Sequence, residues 1–310
     1  MIASSPRRTR ALATTIDWAR LATLRLRARA VADGVQPGLH RSRRRGPGVE
    51  FGGHRVYVPG DDLRWLDRHV LMRTGRLLIR EFETDTDRAL SLLIDATASM
   101  GYRSAEAPVS KFEYAAVVAA ALARIAVAGG DAVSLDFIGG LRCPPLPSAG
   151  GRAAFDRLVE ALESARVGGD LHDDLDAFSR FVTAVARRAR RGAIVIVLSD
   201  LVDVPEGGLE RTLTLATSGR TLVAVRVLDP LEARFPFAGP VRLWSTEGSA
   251  VVETEGLAAR SKYLARLEER RTRWADGLAA RGGSMIDTTS AGDPIADVGA
   301  VLQASARRAW

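Results

Sequence analysis

Asp95, Thr97 and Ser99 place three oxygen-bearing side chains on alternate positions directly after an apolar run, Ala89 to Ile94. Side chains at i, i+2 and i+4 of a tight loop can converge on one point. A carboxylate with two hydroxyls is a set of hard oxygen donors suited to Mg²⁺ or Mn²⁺. A second apolar run, Ala193 to Leu198, ends in Ser199-Asp200, so a second carboxylate reaches the same sheet edge if the two strands are neighbours. The competing explanation is architectural: Asp95 ends a buried strand, Thr97 packs locally and Ser99 caps the next helix. Two buried strands that both end in acids, with nothing nearby in sequence to neutralise them, favour the cation.

The elements that must position these residues are legible from residue 89 onward, where apolar strands alternate with helical segments. The pattern predicts an α/β fold, a mostly parallel sheet flanked by helices. Strands are expected at Ala89 to Ile94, Ala132 to Ile138, Ala193 to Leu198, Thr221 to Val227 and Ser284 to Asp287. Helices are expected at Lys111 to Ala128, Arg152 to Ser164, Leu175 to Arg191, Leu209 to Thr217, Leu257 to Arg281 and about Ile295 to Ala306. Gly139-Gly140 reads as a hairpin turn into a short antiparallel edge strand, Leu141 to Cys143, which Pro144-Pro145 then stops. Val241 to Trp244 and Ala250 to Glu253 suggest a hairpin insertion over about residues 240–254. In such open sheets, ligands bind beyond the carboxyl ends of the strands where strand order reverses, and Asp95 and Asp200 stand at such ends.

The chain has 310 residues and a formal net charge of +7. Residues 1–88 hold 18 arginines against 10 acidic residues, so the basic character belongs to the N-terminal part. Residues 1–45 are expected to form a basic arm, partly helical or mobile, with Trp18, Leu21 and Leu24 on an apolar side and Arg41, Arg43, Arg44 and Arg45 in a charged connection. Those four arginines could contact an anion, whether nucleic-acid phosphate or a peripheral lipid surface. No aromatic residues interleave them and no nucleic-acid module is recognisable, so a solvated or partner-binding arm is preferred over nucleic-acid binding. Cys143 is the single cysteine, which excludes an intrachain disulfide and a cysteine-based metal cluster. No apolar leader follows Arg7, Arg8 and Arg10, and the most apolar segment, Tyr114 to Ala128, is short for a membrane span and carries Arg124. A cytoplasmic location without a transmembrane segment is expected.

Known catalytic patterns are missing. Neither lysine, Lys111 nor Lys262, sits in a phosphate-binding loop, and no Gly-x-Ser-x-Gly elbow occurs. His40, His54, His69 and His172 lack zinc-site spacing. A hydrolytic metal site would need a second ion or a placed general base, and neither is identifiable. The chain therefore reads as a non-enzyme.

The Asp95-x-Thr97-x-Ser99 loop with distal Asp200 resembles the metal-ion-dependent adhesion site of von Willebrand factor A domains, with Thr97 standing for the first Ser. That resemblance implies a Rossmann-like fold and Mg²⁺ held by hydroxyls and a distal Asp. It also implies a further Thr from a Gly-Gly-Thr loop, and the corresponding stretch here is Val167-Gly168-Gly169-Asp170-Leu171, with Asp170 in the place of the Thr. Upstream, Gly48 to Phe51, Arg55 to Asp67, Arg73 to Leu77 and Ile79 to Glu83 resemble the DUF58 family, bacterial proteins with a degenerate A domain found beside MoxR-type AAA+ ATPases. The likeness runs over about residues 38–305, with a signature segment at 46–88 expected to pack on an A-like domain at 89–310. Within the signature, Pro59-Gly60 suits a type II turn, Asp61 or Asp62 can cap a helix through Trp65 to Val70, and Arg64 can pair with Asp67. The resemblance implies a protein-binding adaptor that works with a MoxR-type ATPase on a client protein in maturation or remodelling.

Overall fold

A computed structural model describes residues 23–35, 50–57, 66–83, 89–141, 143–169, 174–202, 204–244 and 251–306, with only the backbone described at 50–55 and 80–83. The elements in chain order are α1 (Leu24–Gly34), β1 (Glu50–Val56), α2 (Arg68–Thr74), β2 (Leu78–Glu83), β3 (Ala89–Asp95), α3 (Lys111–Ala128), β4 (Ala132–Ile138), β5 (Leu146–Ala149) and α4 (Gly151–Ser164). There follow α5 (Leu175–Arg188), β6 (Ile194–Ser199), α6 (Gly208–Leu213), β7 (Thr221–Leu228), α7 (Pro230–Arg234), β8 (Pro240–Trp244), β9 (Val251–Glu255), α8 (Gly256–Ala280), β10 (Ser284–Thr289) and α9 (Pro294–Ala306).

Six strands form one sheet in the order β10-β7-β6-β3-β4-β5, parallel except for the antiparallel edge strand β5. Strands covered on both faces read as continuous apolar runs, and every residue of β3 is buried. Two cores result. One face of the sheet packs against α3, α4 and α9, with α1 laid over α3 in the same core, and the other against α5, α6 and α8 through Phe178, Val182, Leu213, Trp274 and Leu278. The alanine-rich α3 is buried nearly all round, and a capping box fixes its start: the Ser110 hydroxyl accepts from Glu113 N–H while the Glu113 carboxylate accepts from Ser110 N–H. Successive sheet strands lie to opposite sides of β3, with β4 on one flank and β6 on the other. That is the reversal of strand order at which a crevice opens beyond the carboxyl ends, and it makes the ends of β3 and β6 immediate neighbours.

Several expectations need correction. The edge strand is Leu146–Ala149, beyond Pro144-Pro145, and it pairs with Val133 and Leu135. Leu141 turns instead to Arg166, whose carbonyl accepts its N–H at 2.8 Å. Within the signature segment, β1 pairs antiparallel with β2 and absorbs a register shift between Phe51 and Gly53. Helix α2 starts at Arg68, not Trp65, because Asp67 is its cap: its Oδ1 accepts from His69 and Val70 N–H at 3.0 and 3.1 Å. Pro59, Gly60, Asp61, Asp62 and Arg64 lie outside the described residues, as do Arg41, Arg43, Arg44 and Arg45. Helix α1 belongs to the main body: Ala28 and Val31 are fully buried, in one core with α3 and α9. The described part of the expected arm is thus a docked helix, because its apolar side faces the alanine surface of α3.

Candidate functional site

The carboxyl ends of β3 and β6 bring the oxygen-bearing residues together. Asp95, Thr97, Ser99, Ser199 and Asp200 are all buried. Asp95 Oδ1 accepts from Thr97 N–H at 2.9 Å and from the Thr97 hydroxyl at 2.7 Å, and Thr97 Oγ1 lies 3.2 Å from Ser99 Oγ. On the other strand, the Ser199 hydroxyl donates to Asp95 Oδ2 at 2.5 Å and accepts from Leu201 N–H at 2.9 Å. Asp200 Oδ1 accepts from Val202 N–H at 3.0 Å. This second turn is held with Leu201 at φ +57, a left-handed conformation costing a residue with a Cβ about 1–2 kcal/mol. Such strain persists where surroundings over-determine the backbone, and Leu201 is 1% exposed.

Two neighbouring segments close the site. Gly139-Gly140 pass with positive φ against the motif loop, and a Cβ on Gly139 would lie 2.9 Å from Thr97 Cγ2. From the other direction, Gly168 N–H donates to the Ala96 carbonyl at 2.8 Å and Gly169 accepts from Ala98 N–H at 3.2 Å. The chain therefore reaches the motif one residue before Asp170, which itself lies outside the described residues.

A third carboxylate and a lysine complete the arrangement, and neither stood out in sequence. Lys111, the first residue of α3, is 1% exposed. Its Nζ donates to Asp200 Oδ2 at 2.8 Å and to Glu232 Oε1 at 2.9 Å. Glu232 is anchored by the capping box of α7, accepting from Asp229 N–H at 2.9 Å. Fully buried Asp229 accepts in turn from Leu231 and from Ser104 N–H, tying the site to the segment before α3. Asp229-Pro230-x-Glu232 was legible as a cap, and a lysine opening an apolar helix, one of two lysines in the chain, was the available signal for Lys111.

Burial sets the electrostatics. Desolvation, then the like charge of Asp200, pushes the Asp95 carboxyl up to about 6, although hydrogen bonds from Ser199 and Thr97 pull the other way. Burial pulls the Lys111 pKa down, but the charges of Asp200 and Glu232, and its hydrogen bonds to them, outweigh burial and move it above the ordinary lysine value, favouring the ammonium. Burial likewise raises Tyr263 of α8 to about 12, with Glu232 adding to it.

The donor set fits a small hard cation. Oxygens adjacent in an octahedral Mg²⁺ shell are about 3 Å apart, and the Asp95, Thr97 and Ser99 oxygens are spaced at 2.7 and 3.2 Å. A hydroxyl can turn its hydrogen away and offer a lone pair. Among the described residues no three His, Cys, Asp or Glu side chains are grouped to hold a metal, so these donors are mainly hydroxyls.

An uncharacterized protein of Mycobacterium tuberculosis is 28% identical over 286 residues, spanning 90% of this chain and 87% of its own length. Among solved structures, a conserved hypothetical protein BatB from Bacteroides thetaiotaomicron aligns with TM-score 0.43 and 16% identity over 72% of this chain and 98% of its own. A von Willebrand factor type A protein from Catenulispora acidiphila aligns with TM-score 0.36 and 15% identity over 74% of this chain and 44% of its own. Residues 53–273 match the family described as protein of unknown function DUF58; with the signature segment, the two Asp-ended strands and the sheet order already in place, the chain belongs to the DUF58 family.

Proposed function

We propose that this protein is a non-enzymatic, protein-binding adaptor. Its recognition point is a Mg²⁺ or Mn²⁺ ion held by Asp95, Thr97 and Ser99, with Asp200 behind them. The observation that carries this reading is the convergence of three oxygen donors from one loop at the strand-order reversal, spaced for adjacent positions around one ion. When bound, such an ion supplies a Lewis-acidic position that an acidic side chain of another protein can complete. The chain's own residues do the rest. Ser199 orients the Asp95 carboxylate, Gly139-Gly140 keep the loop in place, and the two hydroxyl donors leave the ion's charge largely uncompensated.

The partner class we propose is a MoxR-type AAA+ ATPase acting on a client protein, in a cytoplasmic maturation or remodelling step; the resemblance at 46–88 and 89–310 supports it. Purified protein should gain thermal stability with millimolar Mg²⁺ or Mn²⁺, and Asp95→Ala should abolish that gain. In pull-downs from the native cell, recovery of an AAA+ protein should fall with Asp95→Ala. Unchanged recovery would move the interface away from the cation.

A further inference from the structure

Lys111 is the feature that a simple metal site does not account for. A cation on the first residue of a helix opposes the helix dipole, and a fully buried lysine loses its hydration. Neither α3 nor the apolar core gains from it. Its contacts explain its position: Nζ is 2.8 Å from Asp200 and 2.9 Å from Glu232, and Asp200 directly follows Ser199, whose hydroxyl donates to Asp95 Oδ2 at 2.5 Å. A divalent ion at Asp95, Thr97 and Ser99 and the ammonium of Lys111 therefore draw on the same carboxylate.

We propose that Lys111 sets the affinity of the cation site by neutralising Asp200, and that Glu232, sharing the ammonium, governs how completely it does so. This rests on the cation reading of Asp95, Thr97 and Ser99. Site affinity for hard cations follows the charge of the ligand set. With the lysine in place, Asp95 and Asp200 together present about one negative charge to an entering ion; without it they present two. The protein thereby keeps a weakly held, electrophilic ion, suited to completion by a partner's carboxylate, rather than a tightly held and charge-satisfied one. The pairing also joins the site to α7 through Glu232, so a partner that displaced Glu232 would tighten Lys111 on Asp200 and weaken the ion.

The test is Mn²⁺ binding to chelator-stripped full-length protein, followed by the electron paramagnetic resonance signal of free Mn²⁺. Lys111→Met should tighten binding at least tenfold. Glu232→Gln, which keeps an acceptor for Asp229 N–H, should weaken it about threefold or more, because Lys111 is left with Asp200 alone. A purely structural ion network would move both variants the same way, so opposite signs are the signature. Lys111→Met leaves the buried Asp200 and the half-buried Glu232 uncompensated; if it does not fold, the charge-conserving pair Lys111→Met with Glu232→Gln should show the same tightening. Tightening in either form supports the inference even if the parent binds no Mn²⁺ measurably. Parent and lysine variants binding within twofold of one another, or both single variants shifting in one direction, overturns it while leaving the cation site standing. No binding by the parent or any variant overturns both.

Discussion

Asp95 carries a consequence that can be measured without a partner. Its folded-state pKa of about 6 lies above the ordinary value of 3.8, so the folded chain holds that proton more tightly than the unfolded one. Stability of the metal-free protein therefore falls as pH rises from about 4 through 6, by roughly 3 kcal/mol for this group. Asp95→Asn removes the titration and keeps the shape, with its amide still able to face Thr97 N–H and the Ser199 hydroxyl. In chelator at pH 8 the variant should melt several degrees above the parent, with the difference shrinking through pH 6 and levelling off below about pH 4, read by scanning calorimetry. With millimolar Mg²⁺ at pH 8 the parent should regain much of that gap and the variant should not respond. A melting temperature for Asp95→Asn at or below that of the parent in chelator would show that the ionised carboxylate is not held at a cost.

At the scale of elements, the site depends on a turn that the sequence marks with two glycines. Gly139 sits at φ +66 with its missing Cβ 2.9 Å from Thr97 Cγ2. Gly139→Ala should cost about 1–2 kcal/mol from the backbone alone. It should also push Thr97 out of line and weaken Mn²⁺ binding several-fold; a destabilised variant with unchanged binding would mean the turn does not position Thr97. Strand β4 and helix α3 lie where the apolar pattern placed them, at 132–138 and 111–128, because both are continuous buried runs with clear stop signals. The edge strand was misplaced because its pairing competes with a distant partner: Leu141 N–H goes to Arg166, and local turn chemistry carries no information about that residue. The end of α5 has a similar cause. Arg220 donates to the carbonyls of Ala186, Ala189 and Arg190, finishing the helix from 30 or more residues away in sequence.

Across the whole molecule, the N-terminal helix α1 is part of the core. Val31 and Ala28 are fully buried in the same cluster as α3 and α9. Val31→Asp should therefore lower stability by at least roughly 3 kcal/mol, since it buries an unpaired charge. The urea midpoint measures it, and a shift near zero would return residues 24–34 to the status of a loose arm. Among the described residues no helix is long and apolar enough to cross a membrane. The exposed face of the β8–β9 hairpin carries Trp244, 67% exposed, with Arg242 stacked over its ring at 4.7 Å, a polar-edged aromatic outside either core.

Sequence alone determined the alternation of strands and helices, the two strands ending in acids, and the hydroxyls at the spacing of one loop turn. These are local properties: burial on both faces demands continuous apolar runs, and a turn of fixed length decides which side chains can converge. Tertiary structure alone decided what charge surrounds those acids. Lys111 is 89 residues from Asp200 and 121 from Glu232, and only closure of the sheet around β3, with α3 on one side and α7 beyond β7, brings the three together. Coulombic pairing in a buried setting depends on distances of a few ångströms that no spacing along the chain encodes. The same two carboxylates would present two negative charges without Lys111 and about one with it, and the fold is where that difference arises.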